Sequence, residues 1–185
     1  MSGRMRVDAA RNIDAVLRTG ARLLAEDPTT SMATIAAAAG VDRRTVYRRF
    51  EGREALLSAV YQAKLDSSER VLDEARLTEA PVAVALHRYV EGTLPVSREW
   101  PLDMRRMMTG DPAASIRRQE QSARLDAFVE RAAAEGLLRS GLPTGWARAL
   151  LDRLVDTAAH EFPDFLAPQA ADLVVRTLLE GVGQR

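Results

Sequence analysis

Four arginines within seven residues are the part of this chain best equipped for chemistry. Arg43, Arg44, Arg48 and Arg49 surround Val46 and Tyr47 in the run VDRRTVYRRF. A guanidinium is a planar fork of donors that fits phosphate oxygens and, on guanine, O6 and N7 together. A helix carrying several of them around one apolar residue has the composition of an element that faces duplex DNA. Catalytic chemistry has far less to work with. The chain has no cysteine and only two histidines, His87 and His160. Disulfides, thiolate metal sites and cysteine nucleophiles are therefore excluded, and a structural transition-metal site lacks ligands. His160-Glu161 is not followed by the second histidine that a zinc-protease helix needs four residues after the first. No glycine-rich phosphate loop precedes Lys64, and no nucleophile elbow marks a serine. No metal and no cofactor is expected, and a helical enzyme is the remote alternative.

The arginines need a frame, and Thr30–Leu57 supplies one. Ser31 is placed to cap a first short helix, whose Ile35 and Ala36–Ala39 leave room for a second helix to cross closely. Gly40 suits the left-handed residue that ends a helix. Val41 plugs the corner, and Asp42 caps a second helix from Arg43 to Phe50. Two helices around a short glycine turn form a helix-turn-helix. Upstream, Ile13, Val16, Leu17, Leu23 and Leu24 recur at helical spacing from about Asp8 to Glu26, before Pro28. That helix gives Ile35, Val41, Val46 and Phe50 a third wall, while residues 1–7 are expected as a flexible arm. Downstream of Glu51-Gly52, a helix from Arg53 to about Arg76 spans roughly 35 Å and joins this head to whatever follows.

The bulk numbers look neutral until they are divided. Formal net charge is zero, with 46% hydrophobic and 28% charged residues, an ordinary globular balance. Residues 1–53, however, hold ten arginines and six acidic residues, a charge of +4, which leaves −4 on the remainder. A basic head on a mildly acidic body is the electrostatic outline of a DNA-binding protein. No apolar run approaches the ~20 residues of a membrane span, and residues 1–20 lack a signal core, so a cytoplasmic location without a membrane partner is expected. Proline and glycine divide the body into helices at 81–93, 104–110, 112–135, 146–162 and 168–181, with an irregular piece around Trp100 between Pro95 and Pro101. With no alternating strand pattern, the expected fold is all-α with about nine helices. The last two are apolar on wide faces, which means either burial in one core or contact with a twin subunit as well.

The run IAAAAGVDRRTVYRRFEGREALLSAV resembles the DNA-binding domain of tetracycline-repressor-like (TetR-family) transcription regulators, over about residues 10–60. The resemblance implies a helix-turn-helix head over 1–52 and a ligand-binding and dimerisation body over 53–185, with helix 53–76 linking them. It implies a homodimer on palindromic operator DNA, released by a small-molecule ligand; a regulator without a ligand, or an activator, is the alternative. Arg43 and Arg44 then read bases, with Arg49 reaching base or backbone. Thr45, Tyr47 and Arg53 match positions that hold phosphate, Arg48 joins them, and the helix start at Ser31 favours a phosphate as well. Glu51 departs from the pattern and either opposes DNA or pairs with Arg48. In the body, His87, Tyr89, Trp100, Met104, Met107, Met108 and Phe128 are the candidate lining of a ligand pocket. Leu150, Leu151, Leu154, Val155, Ala158, Leu173, Val174, Leu178 and Val182 are the candidate dimer interface.

Overall fold

Capping and breaker residues set most helix ends in the computed structural model, which describes residues 2–102, 111–139 and 141–182, with backbone alone for 2–9 and 182. The elements are α1 (Ser2–Glu26), α2 (Met32–Ala38), α3 (Arg43–Arg49), α4 (Arg53–Ala75), α5 (Val82–Glu99), α6 (Pro112–Ala134), α7 (Trp146–His160) and α8 (Ala167–Val182). No β-strand occurs among the described residues, so the fold is all-α. The ninth expected helix, over 104–110, lies outside the described residues.

Two expectations about helix ends are overturned. The segment 2–7, expected as an arm, continues α1; Arg4, Met5 and Arg6 are good helix formers and no proline interrupts them. α5 does not stop at Thr93 but runs through Pro95 to Glu99. Proline there removes one hydrogen bond, but Val90 and Leu94 are fully buried and hold the turn helical. The Thr93 hydroxyl donates to the Tyr89 carbonyl at 2.6 Å inside the same stretch.

The chain divides into two compact units. The first comprises Met1–Leu65 with Glu99–Ser115, and the second Asp66–Arg98 with Ile116–Arg185. The division between the units falls inside α4, the helix expected to link head and body, whose first half buries Leu56, Val60, Tyr61 and Leu65. In the first unit, α1 packs on α2 and α2 on α3. Buried Val16, Leu24, Ile35, Val41, Val46 and Phe50 supply the apolar interior that the sequence pattern requires. Trp100 and Leu102 are fastened to their own unit by Lys64, whose ammonium donates to the carbonyls of Trp100, at 2.7 Å, and Leu102. Ser58 and Gln62 of α4 donate to Asp111, each at 3.0 Å.

In the second unit, α7 packs on α8. Leu151, Val155, Ala158, Val174 and Leu178 belong to that unit's own buried core, with Leu150 and Leu154 half-buried against it. Five of the nine residues expected at a dimer face are thus buried within their own chain. Leu173 alone of the nine is well exposed, at 47%, and the side chain of Val182 lies outside the described residues. Trp146, Phe162, Phe165 and Leu166 are exposed apolar residues of the same helices and their connecting turn.

Candidate nucleic-acid interface

The recognition element is built from two caps and one turn. Ser31 accepts the Thr34 amide at 3.1 Å and so starts α2. At the other end Gly40 adopts φ 66°, and two hydrogen bonds close the corner: Gly40 N to the Ala37 carbonyl and Val41 N to the Ala36 carbonyl. This is the glycine-terminated pairing that satisfies the last carbonyls of a helix. Asp42 then accepts the Arg44 amide at 2.8 Å and starts α3 only two residues later. Such a cap contributes about 1 kcal/mol, so α2 and α3 are both fixed at their first turns.

One face of α3 is anchored and the other is free. Val46 is fully buried and Phe50, its C-cap, nearly so, contributing roughly 1.5–3 kcal/mol each. At 100° per residue, Arg44 and Arg48 fall on the side opposite Val46, one turn apart. Arg43 and Tyr47 form one flank, with the Arg43 guanidinium 5.0 Å from the Tyr47 ring centre. Arg49 lies on the other flank, 5.6 Å from the Phe50 ring centre, beside half-buried Thr45. The stacking leaves the guanidinium donors of Arg43 and Arg49 unspent while limiting where each side chain can swing. Among the described residues none of the four arginines forms an ion pair, and Glu51 does not pair with Arg48. Four uncompensated cations on the exposed side of a rigidly capped helix can bind phosphates and guanine edges without first breaking internal bonds.

The other expected contacts separate. Tyr47 is exposed, and its flank position makes its hydroxyl available. Ser31 is occupied by its cap. Arg53 holds a different partner from the one expected. Its guanidinium donates to the main-chain carbonyls of Pro28 and Thr30, in the turn between α1 and α2. In that turn Asp27 accepts the Thr29 hydroxyl and amide, at 2.7 and 2.8 Å, and these bonds, helped by the nearby Arg53 charge, hold its carboxyl below the usual range.

Of the expected pocket lining, His87, Tyr89 and Phe128 belong to the second unit and Trp100 to the first. His87 is engaged by two carboxylates of its own unit, Asp172 at 2.9 Å and Glu91 at 3.6 Å. Tyr89 packs against the core, and burial pushes its phenol up to about 12, with the Asp152 charge adding to the rise. Phe128 is buried in that core and also lines a groove of about 770 Å³ with Leu72, Leu77, Arg76, Arg124 and Arg131. Neither His87 nor Tyr89 reaches the groove. Trp100, in the first unit, is buried, and its indole N–H has no acceptor among the described residues. Met104, Met107 and Met108 lie outside the described residues. Sequence reasoning missed Lys64 and Asp111 as fasteners of the Trp100 segment. Asp111-Pro112 was a readable signal, since Asp111 caps α6 by accepting the amides of Ala113 and Ala114.

Known proteins share both the head and the whole chain. Residues 16–60 match the model of the family described as bacterial regulatory proteins, tetR family. The HTH-type transcriptional repressor LfrR of Mycolicibacterium smegmatis is 30% identical over 173 residues, covering 91% of this chain and 88% of that protein. The crystal structure of LfrR from Mycobacterium smegmatis in complex with proflavine superposes with a TM-score of 0.69 at 28% identity, over 92% of this chain and 96% of the other. AibR, solved in complex with isovaleryl coenzyme A and operator DNA, shares the fold at 23% identity and a TM-score of 0.72, over 91% of this chain and 98% of the other.

Proposed function

The chain belongs to the TetR family of bacterial regulatory proteins, and on that premise we propose that it represses transcription as a homodimer on a palindromic operator and leaves it when a small ligand binds. It is a transcription regulator and not an enzyme. The observation that carries the operator reading is α3, with four unpaired arginines held on one exposed side by buried Val46 and Phe50. In this reading Arg43, Arg44 and Arg49 reach base edges, while Thr45, Tyr47 and Arg48 hold phosphates. A two-fold dimer places two such helices about one DNA turn apart, which requires an inverted repeat with that spacing. Selection of bound sequences from random duplex DNA tests this directly. An inverted repeat is the expected product; a single unrepeated site, or no enrichment, would reject the homodimer on a palindrome.

The ligand half of the proposal is supported by Trp100. A buried donor left without an acceptor costs about 1–3 kcal/mol, a cost that a ligand oxygen or nitrogen can remove. Release follows if the ligand binds better to the form whose heads do not fit the operator. LfrR was solved with proflavine, so proflavine is the first compound to titrate into the operator complex. Dissociation accompanied by a change in tryptophan emission is expected for the native chain, and that emission change is expected to shrink in Trp100→Phe.

A further inference from the structure

Arg53 is the first residue of α4, where a positive charge faces the positive end of the helix dipole. Its side chain turns back across 23 and 25 residues of sequence to the Thr30 and Pro28 carbonyls. These carbonyls lie in the turn that leads into α2. The Thr30 amide is already spent on the Asp27 carbonyl, and the Ser31 carbonyl on the Ile35 amide at the start of α2. The planar fork of one guanidinium spans the Pro28 and Thr30 carbonyls. The elements joined this way enclose α3 in sequence: the turn precedes α2, and Arg53 opens the helix after α3.

We propose that Arg53 is a positioning residue for operator binding, a clamp that fixes the α1–α2 turn to the start of α4 and so sets the tilt of the helix-turn-helix, instead of contacting a DNA phosphate. The inference rests on the operator-binding reading for its affinity arm, and has a second arm that needs no DNA. A lysine supplies the charge as a single nitrogen on a shorter stem, without the two separate guanidinium nitrogens that reach the Thr30 and Pro28 carbonyls. The clamp and the phosphate contact therefore give opposite results with Arg53→Lys. As a clamp, Arg53→Lys and Arg53→Ala both weaken binding to the selected operator by about tenfold, the equivalent of ~1.4 kcal/mol. Both retain the native slope of log affinity against log salt. As a phosphate contact, Arg53→Ala flattens that slope by roughly 0.9 per head and Arg53→Lys stays near native.

The second arm is amide hydrogen exchange on the free protein. Faster exchange over residues 29–35 is expected in both variants, with residues of α7 unchanged. Native-like exchange there, a flattened salt slope in Arg53→Ala, or rescue of affinity by lysine would each overturn the clamp. If the native chain selects no DNA, the operator reading fails, and the exchange arm still decides whether Arg53 holds the turn.

Discussion

Arg44 and Arg48 stand farthest from the buried side of α3, and they differ in one respect that fixes what each can do. Arg44 lies two residues after the cap, at the end of the helix that enters a groove first, whereas Arg48 lies a turn further on. Arg44→Ala is therefore expected to cost ~1–3 kcal/mol on the selected operator and to relax preference at one base pair per half-site. Titrations against single-base variants check this, and an equal loss on every variant would move Arg44 to the phosphate group. These arginines were legible in the sequence because everything that orients them is local: Asp42 caps two residues away, and Val46 and Phe50 recur at helical spacing. Arg53 was not legible, since its partners lie across the head and are main-chain atoms, which leave no trace in residue type. Asp111 is intermediate. Its bonds from Gln62, from the amides of α6 and from Ser58 hold its carboxyl below the ordinary range. A depressed native pKa contributes stability that is present above the unfolded carboxylate value and lost as pH falls through the native one. Asp111→Ala is thus expected to lower the denaturation midpoint at neutral pH, and the gap from the native chain is expected to close in acid. A gap independent of pH would assign the effect to packing instead.

At the scale of helices, two glycines measure how closely the elements approach. A Cβ on Gly20 of α1 would meet Val60 at 3.5 Å and Ile35 at 3.6 Å, ordinary contact distances. Gly20→Ala should therefore realise most of the ~0.8–1.0 kcal/mol that separates the two residues in a helix, and raise stability. A Cβ on Gly92 of α5 would come within 3.0 and 3.3 Å of the two Val71 methyls, on a side chain that is itself buried. Overpacking of that kind costs roughly 1–3 kcal/mol, which exceeds the propensity gain, so Gly92→Ala should destabilise. Urea unfolding of both variants compares the signs, and a stabilised Gly92→Ala would show that Val71 gives way. The helices themselves were readable from periodicity and punctuation. The exception at Pro95 is instructive: proline marks a lost hydrogen bond, and the sequence does not reveal that buried Val90 and Leu94 offset the loss.

At the scale of the molecule, zero net charge conceals a basic head, and that division could be read from arginine positions alone. What could not be read is how the wide apolar faces of α7 and α8 are shared between the chain's own core and a twin. A helical projection gives the width of a face but not the number of neighbours that cover it. Leu151 and Val155 are spent on the interior, whereas Leu173, Leu166 and Phe162 remain exposed on the same pair of helices and their turn. If a twin covers this surface, the two groups respond oppositely to charge. Leu151→Glu places a carboxylate in an apolar core without a partner and should unfold the second unit. Leu173→Glu should leave helix content and unfolding midpoint nearly native but shift the sedimenting species from dimer to monomer. Losing the twin also removes the second half-site from each binding event, so affinity for the inverted repeat should fall toward that for a single half-site. A Leu173→Glu chain that still sediments as a dimer would exclude this surface as the seam and direct the search to the other exposed faces of the second unit.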